Sequence, residues 1–245
     1  MPGGLAAAAA GGFQERLADL TNPLIFYDWG NTTCYGGTGN AFSNLGSGGT
    51  TYDGDFRNGA TYSSDFGGIV QLDGTDDDIR LDTTFSVPRA GATVMIWLRT
   101  EQTGNRGVFG NGSVLNFAEF GGTNGVSRAE TASNCNNFFA AGGANTGGDY
   151  TNRWYCFFFV WNNNLSTWFE MGINQDACGN YGNTNCVAPN VSNLIANVDF
   201  RTIGEQSGYS GHFDGDIGVV AAWNSALSDH QALQAFGAFR HRYGV

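Results

Sequence analysis

GHFDGDIGVVAAWNSALSDHQALQAFGAFRHRYGV, residues 211–245, carries the strongest structural pattern of this chain. Its first part, residues 217–223, is apolar on both alternating faces, which is typical of a β-strand covered on two sides. Strict alternation predicts that one face holds Ile217, Val219, Ala221 and Trp223 and that the other holds Val220 and Ala222.

A short helix is predicted after this strand. Ser228 offers a hydroxyl N-cap and Gln231 lies three residues later, as a capping box requires. Asp229 falls in the first turn and the basic residues 240–242 fall in the last, so both placements suit the helix dipole. The face expected to pack consists of Leu233, Phe236, Phe239 and Tyr243.

These features resemble the C-terminal end of laminin-G-like and pentraxin-like domains of the concanavalin A-like lectin/glucanase superfamily. There, an F-D-G-x-I turn leads into a buried strand, a W/Y-N-x-A-L-S segment and a short helix. The resemblance implies an all-β fold, a two-sheet antiparallel jelly-roll sandwich with a short C-terminal helix. It does not imply one function, because the fold hosts lectins, hydrolases and structural modules. The matching residues are Phe213, Asp214, Gly215, Ile217, Trp223, Asn224, Ala226, Leu227 and Ser228.

The N-terminal half resembles laminin-G-like domains found in many tailed-phage and environmental viral virion proteins. Together with the C-terminal match, this resemblance covers residues 23–245 and implies a non-enzymatic virion structural protein, either a capsid decoration or a tail/fibre component. Its partners would be other virion proteins and further copies of itself, and its location would be the virion. The matching residues are Leu24, Tyr27, Asp28, Gly30, Asn31, Cys34, Tyr35, Gly37, Gly39, Asn44, Leu45, Asp53, Gly54, Asn58, Gly59, Tyr62, Ser63, Ile69, Leu72, Asp73, Gly74, Asp76 and Asp77.

Residues 1–22 lie outside this resemblance and form a Gly/Ala-rich N-terminal arm. The arm has neither a basic n-region nor a long apolar run, so a secretory signal is not expected. We interpret it as a docking element for assembly, with apolar contacts from Leu5, Phe13, Leu17 and Leu20.

Composition bears on several classes of function. The chain has 22 acidic and 11 basic residues and a net charge of -11. A chain without a basic patch is not expected to bind nucleic acid through its phosphates, and no apolar stretch is long enough to predict a membrane span. The 38 glycines and 19 phenylalanines, with only 4 prolines, are typical of many short strands joined by polar turns.

Four aspartates, Asp73, Asp76, Asp77 and Asp78, crowd one predicted turn. Carboxylates at this density can supply the hard oxygen ligands that Ca²⁺ prefers, so calcium is the candidate cofactor. The alternative is structural, because Asp in such a turn caps backbone N–H groups. The sequence leaves both interpretations open.

The alternative function is a lectin-like module, calcium-dependent if the acidic turn holds the ion, with host-surface glycans as ligands. Trp168 and Glu170 share one face of a predicted strand and form the candidate glycan platform. Catalysis is not expected, because a glycosidase needs two carboxylates across a cleft. The glucanases of the superfamily carry an E-x-D-x-x-E motif, which is absent here, and Glu170 stands alone in its strand.

Five cysteines leave the redox state open. Cys178 and Cys186 bracket a short loop and form one candidate disulfide, and Cys135 with Cys156 forms a second, which leaves Cys34 alone. The alternative is a set of free, partly buried thiols in a reducing cytosol.

The segment RWYCFFFVW, residues 153–161, is predicted to be a strand with two apolar faces. A sandwich strand normally shows one face to solvent, so the second face needs a cover. The helix, a long loop, the arm or a partner could supply it.

Overall fold

The computed structural model describes residues 22–88, 90–100, 106–110, 118–121, 125–128, 152–162, 165–171, 198–206 and 211–245. In these ranges the strands are β1 (Ile25–Tyr27), β2 (Ala41–Phe42), β3 (Gly54–Arg57), β4 (Thr61–Ser63), β5 (Ile69–Asp73), β6 (Asp78–Val87), β7 (Gly91–Thr100), β8 (Arg106–Gly110), β9 (Ala118–Gly121), β10 (Gly125–Arg128), β11 (Tyr155–Asn162), β12 (Leu165–Met171), β13 (Val198–Ile203), β14 (Glu205–Gln206), β15 (Gly211–His212) and β16 (Asp214–Trp223). Short 3-10 helices lie at Gly49–Tyr52 and Asp65–Gly67, and helix α1 spans Asp229–Tyr243.

Antiparallel pairing arranges these strands in two large sheets and a small one. Sheet 1 has the order β12-β11-β7-β16-β5-β4, and β1 pairs with the C-terminal half of β16. Sheet 2 has the order β10-β9-β8-β13-β6-β3-β2, and β14 pairs with β15. This confirms the predicted all-β, two-sheet antiparallel sandwich with a C-terminal helix. Among the described residues, no helix is both long and apolar enough to cross a membrane.

Two apolar cores share sheet 1. The main core lies between the sheets and includes Ile96 from β7 with Phe85 and Phe200 from sheet 2. The second core contains residues of sheet 1 and of α1, among them Trp97 and Phe236. Sheet 1 is therefore covered on both faces, with sheet 2 on one side and the helix on the other.

Both faces of strand β11 are apolar because each face packs in a different core. Phe157 and Phe159 belong to the main core, and Cys156 and Phe158 belong to the core under α1. The helix, a long loop, the arm and a partner were the possible covers for this second face, and the structure has the helix there.

Strand β16 departs from strict alternation at Gly218. Between Ile217 and Val220 its register against β7 shifts by one residue, which is a β-bulge. Ile217 therefore joins Val220 in the main core, and Val219 lies in the core under the helix. The prediction that Ile217 and Val219 share a face is wrong, because the extra residue of the bulge reverses the alternation.

Helix α1 begins with the predicted capping box. The Ser228 hydroxyl accepts a hydrogen bond from the Gln231 N–H, and the Gln231 side chain accepts one from the Ser228 N–H. The predicted packing face is correct except at Leu233, which is 47% exposed. Leu233 lies about 100° around the helix axis from its buried neighbour Ala232, so it falls beyond the contact with the sheet. The buried residues of the helix are Ala232, Ala235, Phe236, Ala238, Phe239 and Tyr243.

The two described cysteines, Cys34 and Cys156, are buried free thiols. The predicted Cys135–Cys156 disulfide is therefore wrong, because the Cys156 side chain packs in the core under α1. Cys178 and Cys186 lie outside the described residues, and their disulfide stays a prediction.

The N-terminal arm also lies outside the described residues, apart from Asn22. The docking contacts assigned to Leu5, Phe13, Leu17 and Leu20 therefore stay predictions.

Candidate functional site

The predicted acidic turn joins the two sheets at the rim of the sandwich. Strand β5 ends at Asp73 in sheet 1, and β6 begins at Asp78 in sheet 2, so residues 74–77 cross between them. Gly74 has a φ of 74°, a left-handed conformation that glycine adopts without steric cost.

Two carboxylates of this turn cap backbone groups, as the structural interpretation predicts. Oδ1 of Asp73 accepts a hydrogen bond from the Thr75 N–H at 2.8 Å. Oδ2 of Asp77 accepts one from the Asp73 N–H at 2.9 Å. These two hydrogen bonds stabilise the conformation of the turn. Each uses one oxygen of its carboxylate, and the second oxygen takes no part in it.

Asp78 lies apart from the other three aspartates. Its Oδ2 accepts a hydrogen bond from Arg80 Nε at 3.2 Å, and its Oδ1 accepts one from Asn58 Nδ2 at 3.3 Å. A second nitrogen of Arg80 lies 3.2 Å from Glu205 Oε2. The charge of Asp78 is therefore compensated within a local ion-pair network.

Asp73, Asp76 and Asp77 form a compact group, which we call the acidic loop. One carboxylate oxygen from each lies within 4.8 Å of the others. Asp73 and Asp76 are exposed, but Asp77 is only 3% exposed. Oδ1 of Asp77 is buried and has no hydrogen-bond partner in the described ranges of the chain.

Burial raises the pKa of Asp77 above its ordinary value. The hydrogen bond from the Asp73 N–H opposes this shift, the negative charges of Asp73 and Asp76 add to it, and His212 lowers the pKa. Crowded like charges and a partly unsatisfied buried carboxylate favour uptake of a positive charge, either a proton or a cation.

The turn at Asn58 and Gly59 lies against the acidic loop. Asn58 has a φ of 61°, and its Nδ2 donates to the Asp76 carbonyl at 2.8 Å. Gly59 has a φ of 142°, and a Cβ added there would lie 2.8 Å from Asp77 Oδ1. The sequence does not indicate that this turn lies at the site, although an Asn-Gly dipeptide is a recognised turn signal.

His212 is a further residue that sequence reasoning missed. It is half-buried on β15, its Nδ1 is buried without a hydrogen-bond partner in the described part of the chain, and it acts electrostatically on Asp77. Nothing in the local sequence indicates this proximity, because about 135 residues separate the two positions.

The predicted glycan platform lies on β12, at one edge of sheet 1. Trp168 pairs in register with Phe159, and Glu170 pairs with Phe157. The structure does not describe the side chains of Trp168 and Glu170, so the glycan platform stays a prediction. Four of the six tryptophans are ruled out as an exposed platform because they are buried, namely Trp29, Trp97, Trp154 and Trp223.

No family model matches the sequence, and no curated protein is similar enough to count as a relative. Solved structures do share the fold. One is domain 4 of AbnA, a GH43 extracellular arabinanase from Geobacillus stearothermophilus, in complex with arabinotriose. It has a TM-score of 0.55 and 16% identity, and the match covers 86% of this chain and 96% of that one.

Two other similar structures belong to larger chains. Trypanosoma rangeli sialidase in complex with sialic acid has a TM-score of 0.57 and 11% identity, over 95% of this chain and 38% of that one. The ligand-binding domain of botulinum neurotoxin serotype D, in complex with N-acetylneuraminic acid, has a TM-score of 0.55 and 11% identity. That match covers 91% of this chain and 52% of that one. The chain thus spans about two-fifths and one-half of these two proteins, and at such identities the likeness is one of fold, compatible with a concanavalin A-like sandwich.

Proposed function

We propose that this chain is a non-catalytic carbohydrate-binding module. The observation that carries the proposal is the match to AbnA domain 4, a structure solved with arabinotriose. The match takes in nearly all of that domain and most of this chain. Similarity to the toxin domain solved with N-acetylneuraminic acid also supports a saccharide as the ligand.

Net charge favours neutral over acidic saccharides as ligands. With 22 acidic against 11 basic residues, the chain repels anionic glycans and offers them few cationic partners. A neutral oligosaccharide avoids this cost, because it binds through hydrogen bonds and stacking on an aromatic ring. Trp168 is the proposed ring, with Glu170 beside it as a hydrogen-bond acceptor.

The absence of catalysis is part of the proposal. Hydrolysis of a glycosidic bond needs two carboxylates placed on either side of the bond. The sequence lacks the E-x-D-x-x-E motif of the superfamily's glucanases.

The test is calorimetric titration of the full chain with arabinotriose, other neutral oligosaccharides and sialylated glycans at one salt concentration. We expect binding of a neutral saccharide, weaker binding of acidic ones, and no release of reducing sugar. Trp168→Ala should abolish binding, and Phe169→Ala, at the next position of the same strand, serves as the matched control. Absence of saccharide binding contradicts the module, and release of reducing sugar contradicts its non-catalytic nature.

A second proposal concerns where the module acts. The resemblance of residues 23–245 to laminin-G-like domains of phage virion proteins supports attachment to a virus particle through residues 1–22. Comparison of the native mass of the full chain with that of a chain starting at Asn22 tests self-assembly through the arm. A defined oligomer that becomes monomeric on truncation supports docking, whereas equal masses contradict self-association. Both forms should retain saccharide binding and the same melting temperature.

A further inference from the structure

We propose that sheet 1 carries a second, weaker saccharide site, formed by Gln71, Asp216 and Arg99 with the Phe66 ring beside them. These three polar residues are called the polar row. The proposal rests on the proposed function for its class of ligand. It places that ligand on β5, β16 and β7, however, and does not involve Trp168.

The polar row crosses three neighbouring strands of sheet 1. Asp216 on β16 pairs in register with Gln71 on β5 and with Arg99 on β7. Residues that pair in register share one face of an antiparallel sheet, and their chain neighbours point to the other face. The row therefore lies on the outer face of sheet 1, which also carries α1. The chain neighbours that belong to the main core are Val70, Ile217 and Leu98.

Helix α1 leaves the polar row open to solvent. The helix ends at Tyr243, whose ring packs on Trp97, two positions before Arg99 on β7. Beyond that contact, Gln71 is exposed and the side chain of Arg99 is 26% exposed. A ligand in solution can therefore reach both the amide and the guanidinium.

Hydrogen bonds fix the three polar side chains to one another. Oδ2 of Asp216 accepts a hydrogen bond from Arg99 Nε at 2.7 Å, and Oδ1 accepts one from Gln71 Nε2 at 3.3 Å. Asp216 is buried, so it orients its two partners and they face the ligand. Nη1 of Arg99 has no acceptor among the residues that the structure describes, and it remains a donor for a ligand hydroxyl.

Phe66 lies beside the row in a strained backbone conformation. Its φ is 50°, a left-handed value that a bulky residue rarely adopts and that glycine adopts freely. Arg242 Nε donates to the Phe66 carbonyl at 3.1 Å, but a glycine carbonyl would serve equally well. The strain therefore serves the phenyl ring, and strained residues are concentrated at active sites and ligand-binding sites.

The Phe66 ring stands directly against the guanidinium of Arg99. The guanidinium carbon lies 5.1 Å from the centroid of this ring and 5.7 Å from that of Trp154. The two rings are themselves in edge contact, with centroids 5.3 Å apart. Phe66 is only half-buried, so part of its ring remains available to a ligand that also reaches Arg99.

Charge and hydrogen-bonding capacity select a neutral ligand that carries hydroxyl groups. The charges of Arg99 and Asp216 compensate each other, so the row has no net charge with which to attract an ion. The guanidinium offers donors and the Gln71 amide oxygen offers an acceptor, which suits hydroxyls. The Phe66 ring suits the apolar face of a sugar. A purely apolar ligand would desolvate the guanidinium without replacing its hydrogen bonds to water.

The test is an NMR titration of the full chain with arabinotriose, followed at the Nε–H signal of Arg99. We expect this signal to shift with a Kd on the order of 10⁻³ M, because an open sheet face desolvates few contacts. Binding of this strength escapes the calorimetric titration that tests the Trp168 platform. The same shift should therefore persist in Trp168→Ala.

Three variants locate the site. Gln71→Ala removes the exposed amide, leaves the Arg99–Asp216 pair in place and should weaken binding at least about fivefold. Phe66→Gly removes the ring at a φ that glycine adopts without strain, and it should weaken binding by at least as much. Gln234→Ala makes the same change as Gln71→Ala at an exposed position of α1 and should bind as the unaltered chain does.

The outcomes separate this site from the proposed module. An Arg99 signal that does not shift, or that shifts equally in Gln71→Ala and Gln234→Ala, overturns the second site. Calorimetric binding without a shift at Arg99 would uphold the module and refute the polar row. A shift at Arg99 without calorimetric binding would uphold the polar row and refute the Trp168 platform.

Discussion

Arg242 ties the end of helix α1 to two distant parts of the chain. Its Nη1 lies 2.7 Å from Asp28 Oδ1, and its other nitrogens donate to the carbonyls of Phe66 at 3.1 Å and Gly67 at 2.7 Å. Residues 66–68 have positive φ values, which turn these carbonyls toward the guanidinium. A planar fork of donors suits such a convergent set, and a lysine could not satisfy all of it.

Arg242→Ala should lower the free energy of unfolding by about 2–4 kcal/mol, because it leaves a largely buried carboxylate and several carbonyls without their donor. Urea unfolding measures the change. Gln234→Ala, at an exposed position of the same helix, is the control and should change stability by less than about 0.5 kcal/mol. Equal effects of the two substitutions would contradict the anchoring role.

At the scale of elements, the bulge in β16 depends on side chains from elsewhere in the chain. The displaced Val219 N–H donates to the Tyr243 hydroxyl at 3.0 Å, and the Gly218 carbonyl accepts from Trp29 Nε1 at 2.7 Å. Both backbone groups are buried, so they would be costly without these partners. The bulge and the helix therefore stabilise each other.

Gly218→Ala should lower the free energy of unfolding by about 1–3 kcal/mol, because the cost is that of overpacking a core. The new Cβ would lie 2.3 Å from the Tyr243 hydroxyl oxygen. The Tyr243 ring cannot easily move away, since it packs against Trp97 and Trp154 with ring centroids 4.4 Å apart in each case.

Gly237→Ala makes the same chemical change on the exposed side of α1, where an added Cβ meets nothing within 4 Å. It should stabilise the chain by about 0.5–1 kcal/mol, because alanine favours a helix interior over glycine. Thermal unfolding of both variants checks the opposite signs. A stability loss in both, or in neither, would refute the account of the bulge.

For the molecule as a whole, buried thiols make stability sensitive to alkaline pH. Burial raises the pKa of Cys34 from 9.0 to about 12, and it raises the pKa of Cys156 as well. Below pH 9 both thiols are protonated in the folded and the unfolded chain. Above pH 9 the unfolded chain loses these protons first, so the folded state loses stability as pH rises toward 12.

The free energy of unfolding should therefore fall by about 1.4 kcal/mol per buried thiol between pH 8 and pH 10. Urea unfolding in the presence of reductant measures this fall. The double variant Cys34→Ala, Cys156→Ala should lose most of the pH dependence in this window. An undiminished fall in the double variant would mean that other groups are responsible.

The many short strands, the strand–helix ending and the capping box at Ser228 were predictable from local patterns, whereas the two-sheet sandwich was predicted from the resemblance to laminin-G-like domains. Hydrophobic periodicity and cap chemistry depend on neighbours within about four residues, so the sequence displays them directly. The acidic turn was predictable for the same reason, since four aspartates lie within six positions. The requirement for a cover on both faces of β11 was also visible, because the strand is apolar throughout.

Contacts between distant segments decided the rest. The bulge at Gly218 depends on Tyr243 and Trp29, so no pattern within residues 217–223 could predict the reversed faces. Asp78 pairs with Arg80, whereas one buried oxygen of Asp77 has no hydrogen-bond donor among the residues that the structure describes, and this difference depends on the neighbouring strand and turn. Local chemistry thus specifies the elements of this chain. Burial and pairing across long sequence separations specify which of the four aspartates pairs with a basic side chain.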